Sequence, residues 1–77
     1  MGKIIAIDPG HKKCGLLLAD TDQLVVINGR IVAKESVIDV IKYWRNSYEI
    51  ELIILGNGTT SKFWYSQIMT LKIAPIK

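Results

Sequence analysis

One carboxylate at the end of an apolar run is the residue best placed for chemistry in this sequence. Asp8 follows the run Ile4-Ile5-Ala6-Ile7, and Pro9-Gly10 comes directly after it. Isoleucine is β-branched and favours a buried strand, whereas proline lacks the backbone donor that would continue strand pairing. Because a carboxylate is costly inside a sheet, we expect Asp8 at the strand end, where it can meet water, a metal ion or a ligand.

The residues after Asp8 predict a tight turn with a basic surface. Gly10 and Gly15 enclose a short segment that contains Lys12 and Lys13, and a second apolar run follows. Glycine adopts backbone conformations closed to other residues and lets another chain approach closely. The two lysines are within reach of an anion bound near Asp8. We therefore predict a hairpin in which Gly10, Lys12 and Lys13 contact phosphate.

The elements that must hold this hairpin follow the order β-β-β-α-β-α. Strands are predicted at 3–8, 14–20, 24–32 and 51–55, and helices at 35–46 and from 59–61 to the residue before Pro75. The short turns make the first three strands an antiparallel meander, and the crossover helix makes the fourth strand parallel to the first. Asn28-Gly29 fits either a bulge within one long third strand or a hairpin of its own with a separate short strand after it.

Periodicity assigns the faces of the two helices. Val37, Ile38, Ile41 and Trp44 have helical spacing and should pack on the sheet, with Arg45 also near that face. Ser36 followed by Asp39 resembles a capping box. In the second helix the predicted cap is Thr59, Thr60 or Ser61, and the apolar stripe consists of Trp64, Ile68 and Leu71.

Strand ends and a helix start should meet beside Asp8. Ligands collect at the carboxyl ends of parallel strands, so Asp8 and Gly56-Asn57 should be neighbours. The start of the second helix, with Thr59 and Thr60, offers free backbone donors that suit a phosphate. The candidate phosphate-binding residues are therefore Gly10, Lys12, Lys13, Asn57, Thr59 and Thr60.

Two motifs carry a resemblance to a known family. The segment Ile7-Asp8-Pro9-Gly10-x-x-x-x-Gly15, with apolar runs on both sides, resembles the first hairpin of the YqgF-like and RuvC-like nucleases. These are Holliday-junction resolvase relatives and pre-16S rRNA processing nucleases. The segment 52–62 with Trp64 is similar to the fourth strand and following helix start of a YqgF-like subgroup.

The resemblance implies a fold that this chain only partly contains. It implies a ribonuclease H-like α/β fold with sheet order 3-2-1-4 and a fifth strand beside the fourth. We expect residues 1–77 to form a single ribonuclease H-like domain that is incomplete at its C-terminus, roughly the first half of a usual family domain, with no segment left to supply the fifth strand.

The implied activity is hydrolysis of nucleic-acid phosphodiesters, in a DNA junction or an rRNA precursor, with Mg²⁺ or Mn²⁺. The resemblance makes Asp8 the first catalytic and metal-binding carboxylate. Where RuvC-like members place a second carboxylate, this sequence has Gly56 or Asn57. The remaining acids are expected at the far end of the sheet or on the first helix: Asp20, Asp22, Glu35, Asp39, Glu49 and Glu51. The metal site is therefore predicted to be incomplete in this chain.

Two other function classes remain open. A non-catalytic nucleic-acid-binding or interaction module would keep the fold and the basic turn, and the apolar edge of the fourth strand could pair with a second copy or another chain. A nucleotide-binding fragment of the actin and sugar-kinase type would also carry Asp-x-Gly. That loop usually has Ser or Thr after the glycine, whereas this chain has His11-Lys12-Lys13.

Charge, cysteine content and the length of the apolar runs limit the partners and the location that we expect for the protein. The net charge of +3 suits a nucleic-acid partner without requiring one. A single cysteine, Cys14, excludes an internal disulfide and a cysteine metal cluster. No apolar run approaches the ~20 residues that cross a bilayer, and no signal-peptide pattern opens the chain. We therefore expect a cytoplasmic protein with no membrane partner.

Overall fold

Four strands and two helices organise the chain. The computed structural model describes residues 2–58 and 60–77. The elements are β1 (Lys3–Asp8), β2 (Lys13–Asp20), β3 (Val25–Ala33), a 3₁₀ turn (Lys34–Ser36), α1 (Val37–Ser47), β4 (Ile50–Leu55) and α2 (Ser61–Met69). The predicted order of elements is confirmed, and the predicted strand boundaries differ by one residue at most.

The sheet has the order β3-β2-β1-β4, as predicted. β1, β2 and β3 form an antiparallel meander, and β4 runs parallel to β1. In the β2–β3 ladder Leu18 lies opposite Asn28 and Ala19 lies opposite Val26, so Ile27 is an extra residue. This bulge lies beside the predicted kink at Asn28-Gly29, and β3 continues through it as one strand.

The core lies on one face of the sheet. Side chains alternate along a strand, so Ile5 and Ile7 of β1 share a face with Leu16 and Leu18 of β2. Both helices contribute to the same buried cluster, whose helical members are Val37, Val40, Ile41, Trp44, Trp64 and Ile68. Val40 was not part of the predicted face, and Arg45, which was placed near it, is exposed.

Two predicted cap residues, Ser36 and Thr60, occupy the N-cap positions of α1 and α2, but their side chains do not make the expected capping hydrogen bonds. The Ser61 hydroxyl, the remaining described candidate, donates to the Gly58 carbonyl at 2.8 Å. Thr59 lies outside the described residues. Helix α2 ends at Met69, well before Pro75, and Lys72 adopts a left-handed backbone conformation with φ 53°.

After α2 the chain returns to the sheet. Ile76 forms a parallel bridge with Ile53 of β4. Three backbone hydrogen bonds hold this tail: Ile53 N to Pro75 O at 2.9 Å, Lys77 N to Ile53 O at 2.8 Å and Leu55 N to Lys77 O at 2.8 Å. The tail therefore lies where a fifth strand would lie, contrary to the expectation that no segment fills that position. The outer edge of β4 is paired from Ile53 to Leu55 and is not open there to another chain.

Among the described helices, none is long and apolar enough to span a membrane.

Candidate site at the Asp8 end of the sheet

Asp8 is exposed at the carboxyl end of β1, as predicted. Its ladder partner on β2 is Gly15. A Cβ built on Gly15 would lie 3.6 Å from the Asp8 Cβ, so any larger residue there would occupy the space beside the carboxylate. Glycine at this position leaves that side of Asp8 open to a ligand.

Gly56 flanks Asp8 from the other side. Its backbone N–H donates to the Ile7 carbonyl at 2.8 Å, which extends the β1–β4 pairing past the end of β4. A Cβ on Gly56 would lie 3.2 Å from that carbonyl oxygen and 3.3 Å from the Pro9 Cδ. The predicted meeting of the two strand ends is confirmed, and the approach is close because Gly56 lacks a side chain.

A groove of about 780 Å³ runs over the sheet and ends at Asp8. Its strand residues alternate with the buried ones, so most of it lies on the sheet face opposite the helices. Apart from Asp8 and Arg30, its lining is apolar or glycine: Ala6, Ile7, Gly15, Leu16, Leu17, Gly29, Ile31, Ile54 and Gly56. The carboxylate thus stands at the margin of an open apolar surface.

The turn between β1 and β2 presents its lysines to solvent. Lys12 and Lys13 are both exposed, as is His11. A Cβ on Gly10 would collide with the Lys13 carbonyl oxygen. Gly10 is therefore needed because there is no room for a side chain at this position. None of the described glycines has a positive φ, contrary to the expectation of special backbone conformations in this turn. Cys14 is buried, as expected of a small core side chain.

A third lysine belongs to this end of the sheet. The Lys34 backbone N–H donates to the Lys12 carbonyl at 2.9 Å, so the 3₁₀ turn after β3 is joined to the hairpin turn. The Lys34 Nζ lies 5.4 Å from the centre of the Phe63 ring on α2. Sequence reasoning missed both residues, because their partners are distant in the chain. The available signal was that Phe63 falls off the apolar stripe of α2.

Asn57 and the start of α2 form a second, smaller cleft beside Gly56. It has a volume of about 240 Å³ and is lined by Leu55, Gly56, Asn57, Ser61, Lys62, Tyr65 and Lys77. Asn57 is exposed and Thr60 is half-buried. The structure thus brings Asn57 close to the Asp8 strand end through Gly56, whereas Thr60 is absent from the lining of both cavities.

The other acids do not join Asp8. Asp20 lies at the opposite end of the sheet, where the Lys3 ammonium is 3.1 Å from its carboxylate. The Gln23 backbone N–H and then Lys3 hold the pKa of Asp20 below its ordinary value. Asp22 accepts a hydrogen bond from the Gly2 N–H at 3.2 Å at that same end.

Glu35 was predicted on the first helix, and it lies in the 3₁₀ turn that directly precedes α1. It follows Lys34, and Lys13 of the hairpin pairs with Ala33 of β3, so Glu35 lies at the Asp8 end. Two strand spacings, roughly 10 Å, separate β3 from β1. Over residues 2–58 and 60–77 no group of three or more potential ligands from His, Cys, Asp and Glu comes together.

A metal ion such as Mg²⁺ therefore finds only part of a site here. It takes several oxygen ligands, usually including one or two carboxylates and water. Asp8 is the acid at this strand end within the described chain, and Asn57 is the nearest amide candidate beyond Gly56. The residues present do not fit a complete metal centre.

The chain is similar in sequence to a protein named as a nuclease. The chain is 34% identical over 69 residues to a protein named "Putative pre-16S rRNA nuclease" from Azobacteroides pseudotrichonymphae genomovar. CFP2. The chain is a homologue of this YqgF-like protein. The resemblance predicted from the two motifs is confirmed. No protein-family model and no solved structure match the chain.

The homology covers the two proteins unequally. It includes 90% of this chain and 50% of the relative, so the chain spans about half the length of the YqgF-like protein that it matches. Half of the relative therefore has no counterpart in residues 1–77.

Proposed function

We propose that this chain is the substrate-binding part of a phosphodiester nuclease of ribonuclease H-like fold acting on RNA, and that it contributes one carboxylate, Asp8, to the reaction centre. The observation that carries the proposal is the position of Asp8 between Gly15 and Gly56, beside a turn with exposed lysines. The homologue's printed name supports a precursor rRNA as the substrate.

The chain's own residues have two roles in this proposal. Lys12, Lys13 and Lys34 attract the phosphate backbone, which dominates nucleic-acid affinity and makes it depend on salt. Asp8 accepts a proton or binds a cation at the phosphate that reaches the strand end. A divalent metal would activate water and stabilise charge on phosphorus, and it would need further carboxylates from outside this chain.

The second candidate function is a non-catalytic RNA-binding module. The observation that favours it is the lack of any three-ligand acidic cluster in the described part of the chain. Both functions predict RNA binding that weakens with salt, and only the nuclease function gives Asp8 a metal-dependent role.

The deciding experiment is thermal unfolding of the chain with and without millimolar Mn²⁺, for the wild type and Asp8→Asn. If Asp8 binds metal, Mn²⁺ raises the midpoint of the wild type alone. Asn57→Asp adds a carboxylate beside Gly56 and should increase the response. If the wild type binds single-stranded RNA but its unfolding midpoint does not change with Mn²⁺, the nuclease role is contradicted and the non-catalytic RNA-binding module is favoured. Stabilisation by ATP that depends on Gly10 would instead favour the nucleotide-binding alternative.

A further inference from the structure

We propose that Phe63 and Lys34 form a platform that binds one unpaired base of single-stranded nucleic acid together with its phosphate. This inference deepens the proposed function, on which it rests. It assigns a contact to two residues that are not part of the two motifs at Asp8, and it specifies an unstacked base as the group recognised.

The Phe63 ring is exposed and held in place. Its side chain is 48% exposed although it lies in the first turn of α2. Trp64, which is buried in the core, meets it edge to face with ring centres 5.2 Å apart. An aromatic ring that is about half exposed suits stacking with a base, because every base has a π-face.

Lys34 adds a positive charge at the same place. Its ammonium lies 5.4 Å from the ring centre, within the ~6 Å over which a cation and a ring attract each other. Its backbone is fixed by the hydrogen bond to Lys12, so the lysine is carried on a constrained segment. A base that stacks on this face takes the place of the ammonium over the ring, and the displaced ammonium can then pair with the phosphate of that nucleotide.

The platform and Asp8 share one end of the sheet. The hairpin turn at 9–12 connects them: Asp8 precedes it, and the Lys12 carbonyl within it accepts a hydrogen bond from the Lys34 backbone N–H. A nucleic-acid strand that follows the exposed lysines of this turn would pass from Asp8 toward Lys34, whose ammonium lies over the ring. Glu35 is the exposed acid next to Lys34 and lowers the local positive charge without removing it.

The test compares binding of a short single-stranded oligoriboadenylate with binding of the abasic ribose-phosphate chain of the same length. The wild type should bind the oligonucleotide more tightly, since only it has bases to stack. Phe63→Leu should weaken oligonucleotide binding about fivefold or more, as expected for loss of one stacked base, and leave abasic binding unchanged. Phe63→Tyr, which keeps an aromatic ring at this position, should bind the oligonucleotide about as tightly as the wild type. The corresponding oligodeoxyadenylate shows whether the platform also accepts DNA.

Lys34→Gln has a different expected signature. It should reduce the slope of log affinity against log salt by about 0.7, the value for one phosphate contact on a single strand. Tyr43→Leu is the matched control, because Tyr43 is 65% exposed on α1, away from the hairpin, and should change neither measurement.

Several results would overturn the proposed Phe63–Lys34 platform. Equal affinity of the wild type for the oligonucleotide and the abasic chain overturns it, and this result needs no variant to fold. A Phe63→Leu loss of the same size on both ligands also overturns it, since the ring would then only hold Lys34. If the wild type binds RNA but Phe63→Leu binds equally well, the platform fails and the proposed function stands. If the wild type binds neither the oligonucleotide nor the abasic chain, both the platform and the proposed function are wrong.

Discussion

Gly56 lies directly against the backbone of Asp8, because a Cβ on Gly56 would lie 3.8 Å from the Asp8 Cα. The ends of two parallel strands thus meet through a residue without a side chain. The same glycine lines both the apolar groove and the smaller cleft beside α2. Gly56 therefore lies between the apolar groove and the smaller cleft and belongs to both.

Gly56→Ala should destabilise the protein and disturb the site. The added methyl would press on the Ile7 carbonyl and on Pro9, neither of which is a flexible side chain, and such overpacking costs about 1 to 3 kcal/mol. Gly29→Ala is the matched control on β3, where the nearest atom to the new Cβ would be 4.0 Å away. That variant should be neutral or stabilising by up to about 1 kcal/mol. Urea unfolding of both variants measures the difference, and equal stabilities would contradict the crowding at Gly56.

Removal of residues 75–77 should destabilise the sheet and expose β4. The deletion breaks three backbone hydrogen bonds, each worth about 0.5 to 1.5 kcal/mol net, and unpairs the outer edge of β4. We expect a lower unfolding midpoint together with concentration-dependent association, since an unpaired apolar edge templates strand pairing. Lys77→Ala keeps the backbone bonds and should behave as the wild type. A truncated chain that keeps its midpoint and stays monomeric in analytical ultracentrifugation would show that the tail contributes nothing.

Asp20 should make stability depend on acid pH. Its folded-state pKa is lowered by the Gln23 N–H and by Lys3, so the native state binds fewer protons there than the unfolded state. The contribution is present above the ordinary aspartate pKa of about 3.9 and is lost as the pH falls through the lower folded value. Asp20→Asn should therefore be less stable than the wild type at neutral pH, with a difference that shrinks in acid.

The measurement for Asp20 is the thermal midpoint as a function of pH. Glu49→Gln is the control, because Glu49 is an exposed carboxylate before β4 and no ion pair with it is recorded in the described structure. The prediction is wrong if Asp20→Asn and the wild type differ by the same amount at neutral and at acid pH.

The two tryptophans should respond differently to replacement by phenylalanine. Both are buried, but the Trp64 Nε1 has no hydrogen-bond partner in the described structure. An unsatisfied buried donor costs about 1 to 3 kcal/mol, so Trp64→Phe recovers that cost while it leaves a small cavity. We expect Trp64→Phe to be close to neutral and Trp44→Phe to be clearly destabilising. Denaturant midpoints test this, and a larger loss for Trp64→Phe would contradict the unsatisfied donor.

Local chemistry along the chain determined most of the fold. The isoleucine run before Pro9-Gly10 indicates a strand that stops at Asp8, and helical spacing identifies Val37, Ile41 and Trp44 as core residues. The resemblance to the family implied the strand order, and the short turns and one crossover helix indicated the strand directions. These features depend on residues close in sequence or on rules of connection, which one sequence is enough to apply.

Caps and ends were less predictable. Ser36 and Thr60 are good cap residues by type, yet neither caps, because the rotamer of a short polar side chain depends on neighbours that the sequence does not reveal. Glu35 was expected on the first helix, and the sequence alone did not show which end of the sheet the turn after β3 would reach. That placement depends on β3 running parallel to β1.

The sequence by itself determined that Asp8 ends a strand beside a basic turn, and the two motifs predicted the relationship to the YqgF-like protein that the comparison confirmed. Only the tertiary structure decided that Lys34 lies over Phe63 and that Ile76 pairs with β4. The physical reason is the same in both cases. These contacts join segments more than twenty residues apart, and their energy depends on a packed sheet that first brings the segments together.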